Sequence, residues 1–400
     1  MSRNPEAKPI CPRAWLVVRR FGVGSEVWMH RQASLMRRLD LRVITNEHAD
    51  PGRYGPNGFS VDDIGVYSPV TGGKLAWQAK TRLWAWRNRR SGGFRGSPRE
   101  VTKWAELVER DRPRVALCHY GTWAVRMAPL LTSLGVPVVA HFNGFDLSSA
   151  VRGRVYSESL ARSAPRWAGC VVVADYMRDW LVGHGCDPAR IHKIPYGVPL
   201  DEMPCADRVG EQPCRFLMVG RLTPKKRPDL SIRALARCRE SGADARLDVV
   251  GDGPMLEECQ GLAEELGVSD RVEFLGARPF SEVKERIASA GAFVQHSVTA
   301  DDGDKEGWPV AIAEAAGAGL PIVSTRHASI PEQVDDGVTG LLCDELDWRA
   351  MGDHLARLAA DPELRQSMGR AGREKISRFD TPGQVQLLED VLLQAANTAS

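Results

Sequence analysis

A rhythm stated twice constrains this chain more than any other feature: short apolar runs, each followed by a turn and a helical pattern. The first statement runs through Ala14–Val18, Leu41–Thr45, Arg114–Cys118, Val136–His141, Cys170–Ala174 and Ile191–Pro195. Runs this short bounded by turn residues read as buried strands, and the stretches between them, such as Val27–Leu39, repeat at helical spacing. Strands that are apolar along their whole length suit a parallel sheet covered by helices on both faces. The rhythm stops after Ile194 in IPYGVPLDEMPCADRVGEQP, a stretch with four prolines that reads as a linker. It restarts at Phe216–Val219, Arg246–Val250, Val272–Leu275, Ala292–Gln295, Leu320–Ser324 and Gly340–Cys343. The predicted fold class is therefore α/β, with two doubly wound, Rossmann-like domains facing a central cleft. An N-terminal domain covers 1–200, a linker 201–214 and a C-terminal domain 215–380. A length of 400 residues agrees with two cores rather than one.

The net charge of +2 conceals an asymmetry. Residues 1–200 carry 30 Lys+Arg against 16 Asp+Glu, and residues 201–400 carry 23 against 35. A balance of +14 in one half and −12 in the other suggests an anionic partner for the first, a membrane surface or a phosphate, or else a solvated basic face. Lys74–Arg90 concentrates the question, with Trp77, Trp84 and Trp86 among six basic residues. It reads either as an interfacial membrane helix or, with its tryptophans turned inward, as an ordinary amphipathic one. The nine cysteines have no close pair, which argues against a disulfide framework or a structural zinc site. The start of the chain lacks an apolar leader and no run is long enough to span a bilayer. The expectation is a cytoplasmic protein, peripheral at the inner face of the membrane if it meets one.

Candidate chemistry sits at strand ends, where open α/β sheets bind their ligands. After the first strand comes Phe21-Gly22-Val23-Gly24-Ser25-Glu26, a glycine turn opening a helix. It begins as a phosphate-binding unit does, which makes Gly24 a candidate contact, although the three-glycine dinucleotide pattern is absent. In the second half, Gly220-Arg221-Leu222-Thr223-Pro224-Lys225-Lys226 offers a guanidinium fork at Arg221 and a point charge at Lys226 for phosphate oxygens. Gly251-Asp252-Gly253-Pro254 lets backbone approach a ligand at Gly253. The stretch DDGDKEGWPVAIAEAAGAGLPIVS, Asp301–Ser324, places Pro309 at the first turn of an alanine-rich helix that Gly317 or Gly319 ends. The start of that helix can hold an anion, and Glu306 and Glu314 frame it with carboxylates.

Taken in order, Gly220-Arg221-Leu222 with Lys226, Val250-Gly251-Asp252-Gly253-Pro254, Phe274-Leu275-Gly276, Glu306-Gly307-Trp308-Pro309 with Glu314, and Pro331-Glu332 leading to Asp336-Gly337-Val338-Thr339-Gly340 resemble the nucleotide-sugar domain of family 4 retaining glycosyltransferases, enzymes of the GT-B fold. The first half resembles them more loosely, through Ser25-Glu26, the His141–Asp146 loop and Ile194-Pro195-Tyr196-Gly197-Val198. Ser25-Glu26 and the acidic run before Glu306 are similar to bacterial exopolysaccharide enzymes, colanic-acid type included. The resemblance implies transfer of a sugar from a nucleotide-diphosphate donor to an acceptor hydroxyl with retention of configuration. It implies that Arg221 and Lys226 neutralise the diphosphate, assisted by the N–H groups of Gly307 and Trp308 and by Val310 at the helix start. Glu314 is implied to meet the ribose, Glu306 the donor sugar, and the loop after Gly276, at Ala277, the base. The final helix, about 381–400, is expected to cross back onto the first domain. No cofactor and no metal are expected, since the nucleotide sugar is itself a substrate.

One position departs from the family. Where its members often carry a histidine, this chain reads His141-Phe142-Asn143-Gly144-Phe145-Asp146. Asn143 can donate to a sugar hydroxyl but is no base near neutral pH, and His141, two residues earlier, either substitutes for the histidine or simply ends a strand in the core. The Asp-x-Asp within Asp301-Asp302-Gly303-Asp304 invites a metal–diphosphate reading. It fits a solvated loop or an acceptor-facing edge better, because Arg221 and Lys226 already supply the countercharge. The acceptor of such an enzyme is a lipid-linked glycan in exopolysaccharide synthesis, or alternatively a small natural product. An epimerase or a non-catalytic sugar-nucleotide binder on the same fold is a further alternative, and nucleic acid is not an expected partner.

Overall fold

The computed structural model describes residues 11–65, 98–204 and 214–398. The Lys74–Arg90 segment and most of the linker lie outside the described residues. The contacts divide the chain into two units. One comprises Met1–Val173, Met177–Ile194 and Gln384–Ser400, the other Ala174–Tyr176 and Pro195–Gly383. The change of unit falls at Ile194–Pro195, where the proline-rich stretch begins.

The first unit holds a seven-stranded parallel sheet of β1 (Arg13–Val18), β2 (Asp40–Thr45), β3 (Ser60–Asp63), β4 (Val115–His119), β5 (Val138–His141), β6 (Gly169–Val172) and β7 (Ile191–Lys193). The spatial order is β3-β2-β1-β4-β5-β6-β7, so the winding reverses between β1 and β4. The second unit holds a six-stranded parallel sheet of β8 (Cys214–Val219), β9 (Ala245–Val250), β10 (Val272–Gly276), β11 (Ala292–Val294), β12 (Ile322–Thr325) and β13 (Gly340–Cys343). Its order is β10-β9-β8-β11-β12-β13, with the reversal between β8 and β11. Trp15, Leu16 and Val17 of β1, and Phe216, Leu217 and Met218 of β8, are fully buried, as two-faced cover by helices requires. Each such side chain contributes about 1.5–3 kcal/mol through its removal from water.

Differences from the sequence reading have local causes. Strand β3 escaped it because Ser60-Val61-Asp62-Asp63 is polar. It is an edge strand, and Arg42 on β2 stitches it in by donating to Asp62 at 2.8 Å and to Asp111 at 2.8 Å. Charge on an edge also discourages pairing with another sheet. The helix after the glycine turn spans Val27–Leu35, shorter than the pattern suggested. Met36 turns extended, and the next two amides, of Arg37 and Arg38, donate to the Glu389 carboxylate at 2.7 Å each. Glu389 belongs to the final helix, Thr381–Asn397, whose residues from Gln384 onward pack with the first unit. Strand β12 begins at Ile322 rather than Leu320, since Pro321 has no N–H to give a ladder.

Candidate active site

The reversal between β8 and β11 gathers the second unit's candidate residues. Loops after β8, β9 and β10 are laced by backbone bonds: Gly220 N–H to Val250 O at 2.9 Å, Leu222 N–H to Asp252 O at 3.0 Å and Gly251 N–H to Gly276 O at 2.9 Å. Glycine is compulsory at this lacing. A Cβ on Gly253 would stand 2.4 Å from the Leu222 carbonyl oxygen, and one on Gly251, at φ +141°, 1.9 Å from that of Gly220. The floor so formed is bare backbone, with Gly253 and the exposed Ala277 on successive strand ends.

Arg221 projects from this floor exposed, and its guanidinium has no protein partner among the described residues. Lys226, five positions on, is spoken for. Its Nζ donates to Glu306 Oε1 at 2.8 Å and to Gln295 Oε1 at 3.1 Å. Gln295 and Ser297 follow β11 directly and also meet Glu306 Oε1, at 3.4 and 3.5 Å. The three contacts to Glu306 all fall on Oε1, and Oε2 has no protein partner among the described residues. Burial pushes the Glu306 carboxyl up, but the charges of Lys226 and Lys225 and the Lys226 hydrogen bond outweigh it and hold the group below the usual carboxylate range. The site therefore contains an ionised, buried carboxylate with one oxygen uncommitted. Gln295 and Ser297 were not singled out in the sequence. The signal available was polar residues ending an apolar strand at the point of reversal.

The helix that follows spans Val310–Gly317, with Pro309 as its N-cap rather than its first turn. Ile312 and Ala313 make the first backbone bonds, to the Pro309 carbonyl at 3.1 and 3.2 Å. The amides of Gly307, Trp308 and Val310 thus lie ahead of the ladder, where a helix end is electropositive. Trp308 fixes that entry: its ring is buried and packs edgewise on Phe379 at 5.0 Å. Glu314 is buried in the second turn, 8% exposed. Gly319, at φ +78°, turns the chain into β12. The acidic run closes on itself through Ala300 and Gly303, and Asp304 pairs with Lys225 at 2.9 Å. Among the described residues no three His, Cys, Asp or Glu side chains are grouped as a metal would need.

At the first unit's reversal, Glu26 after β1 accepts a hydrogen bond from the Tyr120 hydroxyl after β4. Burial raises the Glu26 carboxyl, against the opposing pull of Tyr120 and Arg20. Tyr120 sits at φ +70°, sparse territory for a tyrosine and a form of strain met at functional sites. Gly24 is exposed at the start of the short turn Gly24–Glu26, with open space where a Cβ would be; Gly22, at φ +79°, is the residue the turn requires.

The loop after β5 answers the question posed by Asn143. Asn143 caps the turn Gly144–Leu147 in a reciprocal box: its side chain accepts from the Asp146 amide, and its own N–H donates to Asp146 Oδ2 at 2.9 Å. Asp146 also accepts from Thr122 N–H at 3.2 Å, and burial pushes its carboxyl up to about 6. The proton-accepting role that the sequence offered His141 is not supported by its geometry. The ring is fully buried, its Nδ1 lies 3.0 Å from Nδ1 of His119, and Trp28 packs edgewise on both. One of two facing nitrogens must donate and the other accept, so the accepting ring is neutral; burial, which lowers His141 to about 3 and His119 well below its ordinary value, keeps the donating ring neutral as well. These rings pack the core of the sheet.

The family described as Glycosyl transferases group 1 matches residues 206–375, and Glycosyltransferase Family 4 matches residues 24–202. WcaL of Salmonella typhimurium, described as a colanic acid biosynthesis glycosyltransferase, is 31% identical over 269 residues, 66% of this chain and 66% of WcaL. The amylovoran biosynthesis glycosyltransferase AmsK of Erwinia amylovora is 32% identical over 253 residues, 61% of each chain. The chain thus matches about two thirds of the length of these relatives. Among solved structures, that of Anabaena HepE in complex with UDP and glucose superposes with a TM-score of 0.74 at 18% identity, covering 95% of this chain and 99% of that one. At that identity the likeness speaks for the fold, two doubly wound domains of the GT-B class. With one family pattern on each domain and relatives of the same kind across both, the chain belongs to the family 4 glycosyltransferases.

Proposed function

We propose that the protein moves a sugar from a nucleotide-diphosphate donor to an acceptor hydroxyl, with retention of configuration, in the assembly of an exopolysaccharide or other cell-surface glycan. The observation that carries this reading is the second unit's point of reversal, where an unpaired Arg221, the Lys226–Glu306 pair and the start of the Val310–Gly317 helix converge. Departure of a nucleoside diphosphate puts growing negative charge on the diphosphate oxygens. Cations fixed there stabilise the transition state more than the ground state. Arg221 and the amides of Gly307, Trp308 and Val310 suit that charge, and Lys226 joins them by exchanging Glu306 for a phosphate oxygen. Glu306 is then free to accept from hydroxyls of the sugar, and Glu314 from those of the ribose. Gly253 and Ala277 border the space for the nucleoside.

The acceptor side is assigned to Glu26, Tyr120 and the Asn143 turn, polar groups without a net positive charge to compete for the diphosphate. A lipid-linked glycan is the acceptor we favour, because its anionic carrier suits the basic first half; WcaL and AmsK are described as glycosyltransferases of colanic acid and amylovoran biosynthesis. Among the described residues no helix is long and apolar enough to cross a membrane, so contact with such a carrier is peripheral in this reading. The test is incubation of pure protein with UDP- and GDP-sugars, with and without lipid-linked acceptor extract, while nucleoside diphosphate release is followed. Release that rises with acceptor supports the proposal. Binding of a sugar nucleotide without any turnover in the presence of acceptor would instead favour a non-catalytic binder.

A further inference from the structure

Glu306 is held by its backbone as well as by its side chain. Its N–H donates to His327 Nε2 at 3.1 Å, and His327 is 1% exposed. Because Nε2 accepts, the ring proton belongs on Nδ1, which lies 2.7 Å from Glu345 Oε1. The other oxygen of Glu345 accepts from Thr299 N–H at 2.9 Å. The next residue, Leu346, sits at φ +70°, sparse for leucine, and its N–H donates to Nε2 of buried His296 at 2.9 Å. A conformation like that persists only where the surroundings over-determine it. His296 follows β11, His327 follows β12 and Glu345 follows β13. The bonds therefore tie three strand ends together and run from the turn after β13, through Glu345 and His327, to the backbone of Glu306.

We propose that His327, oriented by Glu345, is a positioning residue that sets the Glu306 carboxylate against the donor. What Glu306 touches rests on the reading given above; that His327 holds it does not. The side-chain bonds to Lys226, Gln295 and Ser297 fix only Oε1, and the loop from Val298 to Trp308 could carry Glu306 away from them. A ring that accepts from the Glu306 amide on one nitrogen and donates to a carboxylate on the other fixes the backbone at the place where displacement of about 1 Å matters most. Carboxylate–histidine pairs of this form orient functional groups at other sites by the same logic.

Glutamine and asparagine separate the two halves of the ring. In His327→Gln the amide oxygen reaches the Nε2 position and still accepts from Glu306 N–H. In His327→Asn only the Nδ1 position is filled, so Glu345 keeps a donor and Glu306 loses its acceptor. Amide hydrogen exchange of the full chain, read by mass spectrometry on peptides spanning Glu306, reports the bond directly. Exchange at Glu306 should stay slow in His327→Gln and rise about tenfold or more in His327→Asn. UDP and GDP affinity should stay within about twofold in both, since Arg221 and Glu314 are untouched. Donor turnover in His327→Asn should fall about 10- to 100-fold, through kcat, the scale typical of lost orienting partners. Equal acceleration of exchange in both variants, or a Glu306 amide as slow in His327→Asn as in wild type, overturns the proposal. If the exchange pattern holds while wild type turns over no sugar nucleotide, the positioning role stands and the glycosyl-transfer reading is what fails.

Discussion

Two sheets of one topology have filled their points of reversal with opposite chemistry. In the second unit the reversal holds Arg221, Lys226 and a carboxylate kept ionised by its lysine neighbours. In the first it holds Glu26 bonded to Tyr120, a carboxylate pushed toward neutrality by burial, and the loop after the neighbouring β5 holds Asp146, also raised and spent on capping a turn. In the function proposed above, one place bears negative charge on a ligand and the other meets hydroxyls without attracting a phosphate. In that reading the fold supplies the two places, and what each does follows from whether a cation outweighs the burial of its carboxylate, as Lys226 does for Glu306.

The sharpest way to break the comparison is to remove that cation. Lys226→Ala leaves Glu306 buried and unpaired, which should destabilise the second unit by about 3–5 kcal/mol, measured by denaturant unfolding. Arg221→Ala removes a cation that the protein does not use for its own stability. It should leave unfolding unchanged and lower donor turnover about 10²- to 10³-fold, the usual scale for a group aimed at transition-state charge. Equal loss of stability in both variants would erase the distinction drawn between them.

Smaller effects sharpen the contrast from the other side. Asn143→Ala removes a cap and should lower the stability of the first unit by about 1 kcal/mol. Donor affinity should stay within about twofold; a loss comparable to that of Arg221→Ala would place Asn143 at the donor instead. The last contrast is a pH dependence in the same unit. His119 and His141 have folded values lowered by burial, so the stability they carry is present above their unfolded value of 6.5 and is lost as pH falls toward about 3. Asp146 works the other way, its contribution present below 3.8 and lost as pH rises through about 6. Unfolding of His141→Asn followed from pH 7.5 to 4 should show a shallower acid loss than wild type, because Asp146 is common to both. Parallel curves would mean that the histidine pair is not what titrates.

The sequence carried the architecture because strands buried on both faces must be apolar throughout, and that signature survives in residues as short as Gly340–Cys343. It carried the donor candidates too, since glycines such as Gly251 and Gly253 are dictated by backbone contact at successive strand ends. Strand β3 was hidden by its charged edge. His141 looked available because its partner His119 lies on another strand, 22 positions away. The network around Glu306 was invisible for the same reason. Lys226 is 80 positions from it and His327 is 21, and a lone histidine followed by alanine and serine has no local pattern to announce it. Contacts between strand ends follow from strand order, which spacing along the chain does not encode.

The central claim, that the second unit's reversal is the nucleotide-sugar site, rests most directly on Glu314, which is buried in the helix and assigned to the ribose. Calorimetric titration of UDP and GDP into wild type and Glu314→Ala tests it without knowledge of sugar or acceptor. One of the two nucleotides should bind wild type, and Glu314→Ala should weaken that binding roughly 10- to 100-fold, as loss of hydrogen bonds to a charged group would. Unchanged affinity in a folded Glu314→Ala protein would contradict the assignment.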